Sequence, residues 1–204
     1  MGYQGGEANQ GEEGQEDKIM AFIIEIPDFI LKQSIALSSC SKMGNRNDGS
    51  DGTYEQQLFG VIGQNILLNA AGKKLMQPSV GHDGGVDLFL FDKKFDVKTM
   101  GRSVDPKIDF VNNFMESQIK FDVDGYIFTS INKVAMRIAI CGWLPKQDLE
   151  VKSMRFSKGE RRTRNDGSFF DCKANMLEVS NENLNSSFRN WAELFAEINT
   201  WTKQ

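Results

Sequence analysis

Histidine is almost missing from this chain: His82 is the only one among 204 residues. A zinc site built on imidazole, or a Ser/His/Asp triad, therefore has little to build on. His82 itself lies in the Gly-rich stretch GHDGGVD and reads as a turn residue, a peripheral phosphate contact being the other reading. Cysteine is sparse too. Cys40, Cys141 and Cys172 are odd in number, far apart and without metal-ligand spacing, which fits reduced thiols in a reducing compartment. No run approaches the roughly 18 apolar residues of a membrane span, and the start lacks the basic residues and apolar stretch of a signal peptide. The chain is expected in the cytoplasm, with no membrane partner. Neither a P-loop nor a dinucleotide-binding glycine pattern is present, which removes the commonest nucleotide-using enzymes.

What is present can build one core. Hydrophobic residues make up 40% of the chain, with 15 Phe among them, enough for one domain of about 100–200 residues but not for two. The net charge of −4 is misleading as a property of the whole molecule. Residues 1–17 hold Glu7, Glu12, Glu13, Glu16 and Asp17 and no basic residue, and without those five charges the net becomes +1. That opening stretch, rich in Gly, Gln and Glu, cannot bury enough surface to offset chain ordering. It reads as a disordered acidic tail, leaving 18–204 as a single domain.

The pattern of the body alternates helical and strand-like segments. The apolar run IMAFIIEI ends at Pro27 and reads as a strand or short buried segment. Residues 38–52 are dense in Ser, Asn, Asp and Gly and read as a surface loop. In the next stretch Leu58, Ile62 and Ile66 recur every four residues, which predicts an amphipathic helix from Thr53 to Ala71 with Gly72 as its stop. VDLFLF and KFDVKTM then read as a hairpin with Asp92 and Lys93 as its loop. A second helix is expected over 109–121. DGYIFTSI and AMRIAICGW form a strand pair around Asn132 and Lys133, and a strand is expected near Asn175–Val179. A last helix, capped by Ser186 or Ser187, carries Phe188, Trp191, Leu194, Phe195 and Ile198 on one face as core. The order predicts an α/β sandwich with a mixed sheet.

Chemistry concentrates on the hairpin. Side chains alternate faces along a strand, so Asp96 and Lys98 in FDVK point the same way and Val97 points opposite. With a two-residue loop at Asp92 and Lys93, Asp87 shares their face and lies across from Lys98. Two carboxylates about 4 Å apart repel by several kcal/mol at an effective dielectric near 20, and a divalent cation offsets that repulsion. One or two carboxylates plus substrate phosphate suit Mg²⁺, and Mn²⁺ shares its taste for oxygen. Lys98, being protonated, contacts the scissile phosphate or orients the attacking water. The plainer reading is a strand with two solvated charges and an Asp that happens to follow a Gly-Gly turn.

Glu55 on the preceding helix, Asp87 in GGVD and Asp96-Val97-Lys98 on the return strand together resemble the PD-(D/E)XK nuclease superfamily. The match in order runs from Thr53 to Trp143, with Val86 where the pattern often has Pro. This resemblance implies a restriction endonuclease-like mixed sheet flanked by helices, with an αβββαβ-type core. It implies a Mg²⁺-dependent deoxyribonuclease with Glu55, Asp87, Asp96 and Lys98 as catalytic residues. The metal would be held by Asp87, Asp96, Val97 and Glu55, Glu55 acting directly or through water. Some branches carry a further polar residue on the helix after the Lys, for which Gln118 is the candidate; a solvated helix residue is its other reading. Asp83 is the runner-up for Asp87.

Between residues 152 and 173, seven basic residues outnumber three acidic ones. Either this is a solvated hairpin, or Lys158, Arg161, Arg162 and Arg164 hold DNA by its phosphates, the main source of non-specific affinity. The leading expectation is a DNA-cleaving enzyme of phage or bacterial replication, recombination or defence. A non-catalytic DNA-binding protein of the same fold, or a metal enzyme acting on another phosphoester, would be the alternatives.

Overall fold

The computed structural model describes residues 22–40, 53–77, 85–163 and 167–203. The acidic tail, most of the 38–52 loop, His82, Asp83 and Arg164 lie outside the described residues.

A five-stranded mixed sheet organises the molecule, and strand β3 carries the Asp-Val-Lys motif through its interior. In chain order its strands are β1 (Phe22–Glu25), β2 (Leu88–Leu90), β3 (Lys93–Arg102), β5 (Gly125–Asn132) and β6 (Arg137–Pro145), in the spatial order β1-β6-β5-β3-β2. Only β3 and β5 run parallel; a parallel pair needs a crossover, here residues 103–124. Three helices supply the apolar layer on one face. Helix α2 (Tyr54–Ala70) begins at a Thr53–Gln56 capping box, and Gly72 beyond its end sits at φ +66°, where a Cβ would be strained. Residues from α2, from α1 (Asp28–Cys40) and from α4 (Trp191–Trp201) close one core over Phe95, Val97, Ile127, Ile138 and Ile140.

The opposite face is covered by strands. β4 (Val111–Met115), β7 (Ser153–Phe156) and β10 (Met176–Ser180) form a second, antiparallel sheet in the order β4-β10-β7. Together with α3 (Lys146–Lys152) it encloses a second core containing Phe114, Tyr126, Phe128, Leu149 and Val179. A short hairpin of β8 (Arg161–Thr163) and β9 (Phe169–Asp171) completes the described strands.

Four expectations change. No helix covers 109–121: Asn112 and Phe114 are buried in alternation as strand β4, followed by a single 3-10 turn at Glu116–Gln118. Asn112 donates to Asn181 Oδ1 at 2.8 Å across that sheet, a tertiary contact that outweighs any local helical tendency. Helix α1, absent from the sequence reading, buries Ile30, Ser34, Leu37 and Ser38 on one stripe. The final helix is capped by Asn190, not by Ser186 or Ser187, so Phe188 precedes it while still packing in the core. The β2–β3 turn is Phe91-Asp92, both at positive φ, rather than Asp92-Lys93. That pair of conformations is the two-residue turn whose twist matches a hairpin.

Candidate functional site

The shifted turn moves Asp87. The printed pairing begins at Leu88–Phe95, and Asp87, just before it, is held by Phe95 and Val97 rather than lying across from Lys98. Its backbone N–H donates to Phe95 O at 2.9 Å, and its carboxylate accepts the Val97 N–H at 2.8 Å. Because a strand residue points its N–H and C=O to the same edge, the Val97 carbonyl faces the edge that Asp87 occupies. Asp87 is steadied from behind by Gln64 of α2, whose amide donates to the Asp87 carbonyl at 2.9 Å.

Asp96 and Lys98 do share a face, as strand alternation requires, but it is not an accessible edge. β3 lies between β2 and β5, and Asp96 is only 3% exposed. Lys98 Nζ lies 2.7 Å from Asp96 Oδ2 and 5.8 Å from the centre of the Phe114 ring. The ammonium is thus the charged partner of the enclosed Asp96 Oδ2. Tyr126, in register with Asp96 on β5, is fully buried, and its hydroxyl has no partner. Burial first, and the Asp96 charge second, push the Tyr126 phenol well above its ordinary range. It therefore stays a neutral donor.

Glu55 stands outside this cluster. Gly63 of α2 meets Thr99, and Phe59 meets Gly101, so α2 runs antiparallel to β3 over the face of its odd-numbered residues. Asp96 and Lys98 are on the other face. Phe59 meets Gly101, roughly 16 Å along the strand from Asp96 at about 3.3 Å per residue, and Glu55 lies one helical turn further away. Its half-exposed carboxylate lies 3.5 Å from Lys133. Gln64, over two turns further along α2, is the helix residue that reaches the hairpin. Sequence reasoning missed Gln64 and Tyr126. The four-residue apolar spacing that revealed α2 also placed Gln64 beside its buried stripe, whereas pairing Tyr126 with Asp96 required the β3–β5 register.

Gln118 lies in the 3-10 turn rather than on a helix. The basic segment is corrected as well. Arg162 donates to the buried Glu178 carboxylate at 2.7 Å and stacks over Phe156, so its charge is consumed inside the protein. Arg161 pairs with Asp171 at 3.1 Å and covers Phe169 while remaining exposed. Of the four candidate DNA contacts, Lys158 and Arg161 are at the described surface.

No protein family, curated protein or solved structure matches this chain. The site is therefore weighed on its own donors. Among the described residues no three His, Cys, Asp or Glu side chains converge as a metal cage. Mg²⁺ does not require one, since it keeps several waters and takes one or two carboxylates plus substrate phosphate. The Asp96 carboxylate, the Asp87 carboxylate bonded to Val97 N–H and the Val97 carbonyl are oxygen donors of the kind that this limited demand takes. Among the described residues no helix is long and apolar enough to cross a membrane.

Proposed function

We propose that this chain is a Mg²⁺-dependent nuclease that hydrolyses DNA phosphodiester bonds in the cytoplasm, on a restriction endonuclease-like core. The observation that carries the reading is the Asp96–Lys98 ion pair at 2.7 Å, enclosed on strand β3 beside the hairpin edge where Asp87 accepts the Val97 N–H. Desolvating a carboxylate and an ammonium together is costly for stability, and enclosed charge pairs of this kind cluster at functional sites. The order of elements supports the fold: α2, the β2–β3 hairpin, a crossover, then β5 parallel to β3. The crossover departs from the αβββαβ pattern by carrying strand β4 where that pattern has a helix.

In this reading Asp87 and Asp96 would hold the metal with the Val97 carbonyl, and Mn²⁺ would substitute. A bound Mg²⁺ would polarise a phosphoryl oxygen and lower the pKa of water. Lys98, held against Asp96 and the Phe114 ring, places a positive charge where the phosphate gains negative charge. Gln64 fixes the backbone of Asp87. Lys158 and Arg161 remain to contact the DNA backbone, with Glu55, Gln118 and Arg162 given no part.

The displacement of Glu55 favours one second reading, a DNA-binding protein of this fold that does not cut. Purified protein incubated with circular and linear DNA in Mg²⁺ or EDTA separates the two. Mg²⁺-dependent, EDTA-blocked cleavage is expected, and cut circles would make it an endonuclease. Retarded but intact DNA under all conditions would leave the binding protein.

A further inference from the structure

A cleft of about 760 Å³ opens where β3 begins and where β6 and α4 end, and neither Asp96 nor Lys98 lines it. Its lining includes Lys93, Trp143, Asp148, Asn185, Glu197 and Trp201. That volume is typical of small-molecule sites, which combine aromatic walls with a few placed polar groups. Trp143 is buried, and Trp201, half-buried one turn after Glu197 on α4, lies 5.2 Å from it between ring centres at 54°. Phe95 packs edge-on against Trp201 at 6.1 Å, so the core sets the position of that ring. A half-exposed indole held in this way is a stacking surface for a flat guest.

The polar groups say which guest. Glu197 Oε1 accepts the Trp143 indole N–H at 2.8 Å, which fixes the carboxylate yet uses only one of its roughly four acceptor positions. Asp148 and Glu197 outnumber Lys93, so the lining disfavours a bare anion and favours a guest that brings N–H donors. Guanine presents two adjacent donors on one edge, its N1–H and its N2 amine, and a carboxylate accepts both side by side. Adenine and cytosine set a ring acceptor beside their amine, and thymine has a single N–H between two carbonyls, so each brings a lone pair against the carboxylate. Asn185, held to Trp143 through both backbone groups at 3.1 and 3.0 Å, brings an amide that can donate to the guanine carbonyl. Lys93 lies 5.7 Å from the centre of the Trp201 ring and is the one basic lining residue among those described. Its pair with Asp124 at 3.4 Å is partly exposed and weak, so its charge can meet a phosphate.

We propose that this cleft binds the guanine base of a nucleotide: Trp201 stacks on the base, Glu197 accepts its N1–H and N2 amine, and Lys93 meets its phosphate. That the nucleotide belongs to a DNA strand rests on the nuclease reading. Lys93 is three residues before Asp96, about 10 Å along β3, which about three nucleotides cover at roughly 3.4 Å each. The base site itself stands without that reading.

The test is calorimetric titration of the whole chain, without metal, with the four deoxynucleoside monophosphates and with dIMP, whose base keeps N1–H and lacks the N2 amine. dGMP is expected to bind at least tenfold more tightly than dAMP, dCMP or dTMP, and at least fivefold more tightly than dIMP. Glu197→Gln keeps an acceptor for the Trp143 N–H, so Tm should hold within about 1 °C while dGMP affinity falls at least tenfold. Equal affinity for the four bases, no binding at millimolar dGMP, or dIMP bound as tightly as dGMP would overturn the guanine site. So would choline bound in place of dGMP, which would make the cleft a cation site. Unchanged dGMP affinity in Glu197→Gln would overturn the role of the carboxylate, and the dIMP comparison, which needs no variant, decides the point even where that substitution loosens α4. An oligothymidylate ending in one guanine should bind at least tenfold more tightly than thymidine alone of the same length; no gain, with dGMP bound, would overturn the DNA half. Bound dGMP in a protein that cuts no DNA would sink the nuclease reading and leave the base site standing.

Discussion

The two faces of strand β3 are built by opposite rules, although they alternate residue by residue along ten positions. Phe95 and Val97 point into an apolar layer closed by α1, α2 and α4. Asp96 and Lys98 point under the β4-β10-β7 sheet, where Tyr126, Phe114 and Phe128 surround them. The first face follows the ordinary economy of apolar burial. On the second, a carboxylate–ammonium pair and a phenol without a hydrogen bond are enclosed, an arrangement that stability alone disfavours. The comparison indicates that covering sheet and charged row belong together: the second sheet dries the row and thereby strengthens its electrostatics. The helical face supplies the rigidity, and Gln64 carries it to Asp87.

The largest effect should come from the charged face. Asp96→Asn is expected to reduce Mg²⁺-dependent cleavage about 10³-fold, equivalent to ~4 kcal/mol of transition-state stabilisation. Lys98→Ala should cost about 10²–10³-fold. Neither should unfold the protein, which far-ultraviolet circular dichroism checks. Cleavage within tenfold of the parent in both variants would remove the chemical distinction between the two faces.

How far this division could be read from sequence depends on the range of the interaction. Strand alternation alone placed Asp96 and Lys98 together and Val97 opposite, and the spacing of Leu58, Ile62 and Ile66 gave α2. The hairpin slipped by one residue because Asp92-Lys93 and Phe91-Asp92 are both possible turns. Phe91 at positive φ is unusual for a bulky residue, and only the packed strands select it. Helix α1 was hidden because half of its buried stripe is serine; Ser34 accepts a hydrogen bond from Asn65 at 3.0 Å, a partner 31 residues away. Strand β4 was mistaken for a helix because its pairing with β10 joins residues over 60 positions apart. Glu55 was misplaced for a geometric reason. A helical position near the motif in sequence order says nothing about which face of the sheet the helix covers.

On the β8–β9 hairpin, Arg162 and Arg161 offer a sharper contrast. Arg162→Ala would leave Glu178 buried without its cation and should cost about 3 kcal/mol, lowering Tm by roughly 6–12 °C. Arg161→Ala breaks an exposed pair and should change stability by no more than about 0.5 kcal/mol. Equal melting temperatures for the two variants would show that the Glu178 contact is not structural. On the helical face, Gly63→Ala is a test of close approach. A Cβ there would lie 2.0 Å from Thr99 Oγ1, so either Thr99 turns away from its hydrogen bond with Thr129 or α2 shifts outward, at a cost of about 1–3 kcal/mol. Chemical denaturation measures that loss. A neutral result would mean that α2 is less firmly seated on β3 than the contact with Thr99 implies.

The smallest expected effect is the one that the sequence pattern would have made large. Glu55 sits on the helical side of the sheet, beside Lys133 and away from the row that holds Asp96 and Lys98. The pair is exposed, so its contribution to stability is slight. Glu55→Gln should therefore leave both Tm and the Mg²⁺ concentration for half-maximal cleavage unchanged, the latter within twofold. Gln64→Ala supplies the matched comparison, because it frees the Asp87 backbone without touching a charge. That variant should raise the Mg²⁺ requirement several-fold while kcat at saturating metal changes less. A shifted Mg²⁺ requirement in Glu55→Gln, with Gln64→Ala unaffected, would reverse the assignment and put the working end of α2 at its N-terminus.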